Sequence, residues 1–80
     1  MKIEQKRQER AKQLIKSLLA EKGTNFNKFC KENNIEPNKQ LQLLFRNKWV
    51  SLDDLNSFVS KVNNSMKLEL TKDSIVITRK

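Results

Sequence analysis

The stretch FNKFCKENNIEPNKQLQLLFRN, residues 26–47, decides how this 80-residue chain folds. Its apolar residues recur every three or four positions in two runs, which is the spacing of one face of a helix. They are Phe26, Phe29 and Cys30 in the first run and Leu41, Leu44 and Phe45 in the second. A break at residues 34–37 separates the runs, and Pro37 stands where the first turn of a new helix tolerates it. The stretch therefore predicts two short helices around a tight turn.

The second of these helices is rich in amide and basic side chains, most of them opposite its apolar stripe. They are Asn38, Lys39, Gln40, Gln42 and Arg46. Gln and Asn can pair bidentately with adenine, and Arg can pair with guanine. Two short helices around a tight turn, the second loaded with such side chains, are typical of a DNA-reading helix-turn-helix. The alternative interpretation is an ordinary solvated helix face.

Further basic residues flank this unit. Lys28, Lys31 and Lys48 are candidate phosphate contacts at its edges, with solubilising charge as the alternative. Leu43 interrupts the polar side of the second helix, where it would face DNA or another chain. A basic stretch near the N-terminus is either an arm that follows the DNA backbone or a solvated helix face. Its residues are Lys6, Arg7, Arg10 and Lys12.

The net charge of +8 is unevenly distributed. Residues 1–22 hold seven basic and three acidic side chains, residues 23–50 hold five and two, and residues 51–80 hold five and four. The positive excess therefore covers the first two-thirds of the chain. Such an excess favours polyanions, with nucleic acid first and an anionic membrane or an acidic protein second.

Residues suited to catalysis are scarce. The chain has no His, no Tyr and a single Cys, and the position of Cys30 on an apolar face predicts a small core residue instead of a reactive thiol. No Gly-rich phosphate loop or metal-ligand cluster occurs in the sequence. Asp53 and Asp54 are adjacent, so they do not face each other on a helix and are better explained as dipole-complementing residues of a first turn. We therefore expect a protein that is not an enzyme and has no cofactor.

The expected compartment is reducing and cytoplasmic. A lone cysteine excludes an intramolecular disulfide. Residues 1–12 are charged throughout and lack the apolar core of a secretory signal. No apolar run approaches the ~20 residues that a membrane span needs.

Two longer helices are predicted around the central unit. Residues 2–22 form an amphipathic helix that Gly23 ends, and Thr24 or Asn25 caps the helix that follows. Residues 51–54 have the pattern of a capping box, with the Ser51 hydroxyl at the cap. The helix after it has the apolar face Leu52, Leu55, Phe58, Val59 and Val62. Trp49 either covers the core beside this helix or is an exposed anchor for a partner.

A β-hairpin is predicted over residues 66–78, where apolar residues alternate with polar ones. A two-residue loop at Lys72 and Asp73 places Leu70 opposite Ile75 and Leu68 opposite Ile77, which makes one face of the hairpin apolar. Because a two-stranded hairpin is marginal alone, the hairpin packs on the helices, extends across a dimer, or both. An unprotected strand edge at residues 75–78 would invite pairing with a second copy of the chain. These four apolar residues are therefore also the candidate dimerisation residues.

The stretch from residue 14 to residue 70 resembles the phage-repressor and Cro-like helix-turn-helix family, also called the xenobiotic-response-element type. The first helix is apolar at Leu14, Ile15, Leu18 and Leu19, as in the family. Phe29 and Cys30 stand where the family prefers Leu-Ala, and Asn34 and Ile35 stand where it prefers Gly-Ile or Gly-Val. The polar helix is followed by RNKW at residues 46–49 and by SLDDL at residues 51–55, which opens the next helix. The chain departs from the pattern in two places. Asn34 replaces the turn glycine. The family has an apolar residue where this chain has Gln40, and here the apolar residue, Leu41, comes one position later. The resemblance implies that the third helix enters the major groove of DNA and that its first residues touch base edges.

The sequence thus predicts one domain over residues 1–80, mainly helical, with a repressor-like helix-turn-helix among four or five helices and a C-terminal β-hairpin. The expected function is a transcriptional regulator of phage or mobile-element type, most simply a repressor, that binds duplex DNA as a homodimer with half-sites about one DNA turn apart. The first alternative is a protein-interaction module on the same fold, such as an antitoxin, an anti-repressor or an inhibitor. The second alternative, an RNA or single-strand binder, is weakened by the low aromatic content of 6%.

Overall fold

A computed structural model describes residues 2–46 and 50–80, except for the side chain of Lys2. The predictions for Lys48 and Trp49 lie outside the described residues. The described part is mainly helical and carries two small antiparallel sheets, one of them the C-terminal hairpin. The elements are β1 (Lys2–Ile3), α1 (Gln5–Glu21), α2 (Phe26–Glu32), α3 (Pro37–Leu41) with its π-helical continuation (Gln42–Arg46), β2 (Val50–Ser51), α4 (Leu52–Val62), β3 (Met66–Leu70) and β4 (Ile75–Arg79).

Residues 2 and 3 form a strand, so the prediction of a helix from residue 2 was wrong at this end. Strand β1 pairs antiparallel with β2, with Ile3 opposite Val50. Both side chains are buried. The buried Gln8 amide donates a hydrogen bond of 3.2 Å to the Ile3 carbonyl, which ties the strand to α1. Burial of two apolar side chains explains why the backbone is extended here instead of helical.

Helices α1 and α2 end in the same way. The residue after each helix cap has a left-handed backbone, Gly23 with φ 73° and Asn34 with φ 58°. Beyond the second of these, the Ile35 amide donates to the Cys30 carbonyl at 2.8 Å, which satisfies a helix-end carbonyl. Asn is the next-best residue after Gly for this conformation. Asn34 therefore supplies the turn between α2 and α3 that the family pattern assigns to glycine.

Side chains cap the starts of α2 and α3. The Asn25 side chain accepts a hydrogen bond of 2.9 Å from the Lys28 amide, as predicted for one of the two candidate caps. The Glu36 carboxylate accepts a 3.0 Å bond from the Asn38 amide, and Pro37 occupies the first turn of α3. The tight turn is thus fixed on both sides by local hydrogen bonds.

Helix α4 begins with acidic residues but without the predicted capping box. Asp53 and Asp54 lie in its first turn, where a negative charge complements the helix dipole. Ser51 is the cap residue, yet its hydroxyl makes no capping hydrogen bond. Its backbone is part of β2, whose pairing with β1 holds the start of the helix instead.

The hairpin has the predicted register, with Leu68 opposite Ile77 and Leu70 opposite Ile75. The Thr71 amide donates to the Ser74 carbonyl at 2.9 Å and closes the loop. This loop lacks the glycine that tight hairpin turns prefer. A second bond of 2.9 Å, from the Ser74 amide to the Thr71 hydroxyl, supports it.

The hairpin is held to α4 by one amide side chain. Asn56 accepts a hydrogen bond of 2.6 Å from the Leu68 amide and donates one of 3.1 Å to the Leu68 carbonyl. Both backbone groups of Leu68 point away from β4, so the Asn56 amide occupies the free edge of β3 as a neighbouring strand would.

One hydrophobic core receives side chains from every described element except α3, Pro37–Leu41. Its buried members are Ile3, Ala11, Ile15, Leu18, Leu19, Phe29, Cys30, Leu44, Val50, Leu55, Phe58, Val59, Val62, Leu68 and Ile75. Phe58 of α4 stacks on Phe26 with ring centroids 5.3 Å apart and meets Phe29 edge-on at 5.4 Å. These aromatic contacts fix α2 against α4.

Replacement of Asn34 tests the left-handed turn. We expect Asn34→Ala to lower the free energy of unfolding by about 1 kcal/mol, because a β-carbon is strained at positive φ, while Asn34→Gly leaves it equal or higher. Urea unfolding followed by circular dichroism measures both, with Asn64→Ala as the control for loss of an exposed Asn. Equal stability of the Ala and Gly variants would contradict a left-handed Asn34.

Replacement of Asn56 tests the attachment of the hairpin. Asn56→Ala should cost about 2 kcal/mol in the free energy of unfolding, since it removes two hydrogen bonds and leaves the Leu68 backbone groups unpaired. Ser57→Ala, on the exposed side of the same helix, is the matched control and should change stability by less than about 0.5 kcal/mol. An Asn56→Ala variant as stable as this control would show that the two hydrogen bonds contribute nothing net.

Candidate nucleic-acid interface

The predicted reading residues lie on one continuous helical segment, α3 and its π-helical turn. Asn38, Lys39, Gln42 and Arg46 are exposed, whereas Gln40 is half-buried. On the other side, Leu44 is fully buried and Phe45 is half-buried against the core. Leu41 is half-buried but is not part of this core, so the predicted buried stripe Leu41, Leu44 and Phe45 is fully buried only at Leu44. Packing of the apolar side therefore sets the rotation of the segment and turns four of the five side chains toward solvent.

The π-helical turn widens the second half of this segment. In such a turn the backbone bonds span five residues instead of four, so it absorbs one residue more than an α-helical turn. Leu44 reaches the core from this turn, while the neighbouring Leu43 keeps 42% of its surface exposed. An exposed Leu beside Gln42 can contact an apolar group, such as a thymine methyl or a side chain of another protein.

Glu36 is a residue of this surface that the sequence analysis missed. Its carboxylate binds the Asn38 amide at 3.0 Å and so lies over the first turn of α3. A negative charge there repels phosphate and occupies one of the amides that could bind it. The signal was visible in the sequence, because a carboxylate directly before a helix-starting proline lies at the cap position, where it can accept a hydrogen bond from a free amide of the first turn.

Lys28 of α2 is exposed, as a phosphate contact requires. Its side chain forms no ion pair or hydrogen bond within residues 2–46 and 50–80, so its ammonium group faces solvent. Lys48, the second predicted contact at the edge of the unit, lies outside the described residues.

The N-terminal basic residues do not form a free arm in the structure, because residues 5–10 belong to α1. Arg7 donates hydrogen bonds to the carbonyls of Thr71 and Lys72 at 2.9 and 3.0 Å, across the hairpin loop. Its guanidinium therefore ties α1 to the hairpin loop. Lys6 and Arg10 remain exposed.

The candidate dimerisation residues belong to the core of the single chain. Leu68 is 1% exposed and Ile75 is fully buried, and Leu70 and Ile77 are half-buried and packed against the same core. The side chains of Leu68 and Ile75 are therefore not free to meet a second copy, whereas Leu70 and Ile77 keep part of their surface exposed. Val76, on the opposite face of the hairpin, is 37% exposed.

Cys30 is a core residue, as predicted. It is fully buried, and this burial raises the pKa of its thiol, with a further contribution from the nearby Glu36 carboxylate. The neutral thiol is a poor nucleophile. Among the described residues, no group of three or more Cys, Asp or Glu side chains is placed to hold a metal ion. Nor is any helix of this part of the chain both long and apolar enough to cross a membrane.

Comparison of the chain with protein-family models, with curated proteins and with solved structures found no match. The family resemblance of the sequence therefore rests on the residues quoted for it, and the exposed polar side of α3 is the geometric support for a nucleic-acid interface.

Thiol labelling tests whether Cys30 is buried in the core behind the polar surface of α3. Cys30 in the folded protein should react with a disulfide reagent roughly 100-fold or more slowly than in urea, because the reaction needs an opening of the core. Ser17→Cys adds an exposed thiol on α1 as an internal control, which should react at once. A single fast phase from both thiols would contradict a buried Cys30.

Proposed function

We propose that this chain is a sequence-specific DNA-binding regulator of transcription, most simply a repressor, with a repressor-like helix-turn-helix formed by α2 and α3. The observation that carries the proposal is the exposed row of amide and basic side chains on α3, held outward by burial of Leu44 behind it. The tight turn at Asn34 supports the same arrangement. The proposed place of action is the cytoplasm.

In the proposed mechanism, affinity and sequence choice come from different residues. Exposed cations such as Lys28, Lys39 and Arg46 neutralise phosphates and release counterions, which supplies most of the affinity. Asn38 and Gln42, four residues apart and so on one side of the helix, are the direct readers of base edges. The charge of +8 strengthens the attraction to any duplex.

A homodimer that reads two half-sites remains part of the proposal, with the hairpin as its pairing element. The core occupies the inner face of the hairpin. The outer face with Val76 and the outer edge of β4 are the surfaces left for a second copy.

A protein-interaction module on the same fold is the second candidate. Two observations favour it: Leu43 is 42% exposed in the middle of the polar side, and the Glu36 carboxylate lies at the start of α3. An exposed Leu flanked by polar residues suits an anchor in a protein interface, and a carboxylate opposes phosphate.

A competition titration separates the two candidates. The duplex spans the DNA upstream of the gene, the competitor is a scrambled duplex, and binding is followed at about physiological salt and at several higher concentrations. A regulator should select its site, with a slope of log affinity against log salt of about −0.9 per phosphate contact. Equal, weak binding to both duplexes that is lost at moderate salt would reject the regulator and favour the protein-interaction module.

Replacement of Arg46 tests the interface directly. Arg46→Ala should weaken binding to the selected duplex by about 1–3 kcal/mol, because it removes an exposed guanidinium from the end of the reading segment. Lys72→Ala is the control, since it removes one positive charge from an exposed residue of the hairpin loop, outside the strands and the reading segment. Similar losses in both variants would mean that Arg46 acts only through net charge.

A further inference from the structure

A half-open groove of about 500 Å³ lies between α1, the start of α2 and the end of α3. Its apolar lining includes Phe26, Leu41 and Phe45, all half-buried, and the buried Leu19. The Phe26 and Phe45 rings meet edge-on, with centroids 5.9 Å apart. A groove of this volume with aromatic walls is of the size and character that bind small molecules.

Three cations border the groove: Lys12, Lys16 and Arg46. The Lys12 ammonium lies 5.9 Å from the centre of the Phe45 ring, a cation–π contact that holds it at the aromatic wall. No carboxylate belongs to the described residues that line the groove, and within these residues none of the three cations forms an ion pair. The groove therefore has unneutralised positive charge beside an apolar surface.

The geometry points to a binding site for a small aromatic anion, a ring system that bears a carboxylate, phosphate or sulfonate group. The ring would lie against Phe26 and Phe45, where its apolar surface is removed from water. The acidic group would reach Lys16 and Arg46, whose charge-assisted hydrogen bonds are stronger than neutral ones. A neutral aromatic molecule satisfies only the first requirement, and inorganic phosphate only the second.

The test is a fluorescence titration of the whole protein, without DNA, with 1-anilinonaphthalene-8-sulfonate as the aromatic anion. N-phenyl-1-naphthylamine, which has the same rings without the sulfonate, is the matched neutral probe. We expect saturable binding of one sulfonate per chain, with at least about tenfold weaker binding of the neutral probe. Absence of saturable binding, or equal affinity for the two probes, would overturn the assignment.

Variants locate the bound anion. Lys16→Gln should weaken binding of the sulfonate about tenfold and Lys16→Arg should restore it, because Arg keeps the charge at the groove. Lys6→Gln removes an exposed lysine of the same helix outside the groove and should leave the affinity unchanged. Equal effects of Lys16→Gln and Lys6→Gln would overturn the assignment, since only general charge would then matter.

Amide chemical shifts in a ¹H–¹⁵N NMR spectrum identify the site and guard against binding to unfolded chains. The sulfonate should shift amides of residues 12–27 and 41–46 in a spectrum that stays dispersed, while the hairpin amides keep their positions. Shifts centred on the hairpin, or collapse of the dispersion, would overturn the assignment. Displacement of the sulfonate by an acidic peptide that contains no aromatic residue would also overturn the assignment. The groove would then be a peptide-binding site.

Arg46 belongs both to the groove and to the proposed DNA surface. A bound anion should therefore weaken DNA binding, a consequence that rests on the proposed function. The titration without DNA does not depend on the proposed function. If the chain does not bind DNA, the anion site can still be measured, and if the anion does not bind, DNA binding can still be measured.

Discussion

The packing of Phe58 is the constraint on which the rest of the structure depends. This ring, 1% exposed, stacks on Phe26 and meets Phe29 edge-on, which holds α2 against α4. Phe26 in turn contacts Phe45 at the end of the α3 segment. These aromatic contacts therefore link α4, α2 and the π-helical turn that continues α3. They orient the α3 segment so that its polar residues face outward and the groove beside Phe26 and Phe45 faces α1. Loss of this ring would leave a large cavity at that junction.

Two polar side chains hold the hairpin to the helices by hydrogen bonds. Arg7 binds two carbonyls of the hairpin loop, and Asn56 binds both backbone groups of Leu68. The Arg7 contacts join α1 to backbone 64 and 65 positions away, and the Asn56 contacts join α4 to backbone 12 positions away. A hairpin fixed at its loop and at its edge is part of the folded unit, which explains why its apolar residues serve the core of one chain.

The sequence predicted those features of the fold that depend on residues close together in the chain. The hairpin register followed from a period of two and a two-residue loop. The apolar spacing of the third helix likewise predicted the core positions of Leu44 and Phe45, although Leu41, the third residue of the expected stripe, is only half-buried. The strand at Ile3 was missed because its partner, Val50, lies 47 positions away and two residues carry no periodic signal. The groove was missed for the same reason, since its cations come from α1 and from the end of α3, which only the tertiary fold brings together.

The charges along the α3 segment bear on how it would meet a nucleic acid. Glu36 places a carboxylate at its start, whereas Arg46 ends it beside Lys12 and Lys16 of α1. Phosphates are therefore attracted to the end of the segment and repelled from its beginning. Under the proposed function, the first turn would face base edges, where a carboxylate can accept a hydrogen bond from a cytosine amino group, and the last turn would face the DNA backbone. The same positive end of the segment favours an aromatic anion in the groove, because Arg46, a proposed phosphate contact, borders its apolar wall together with Lys12 and Lys16.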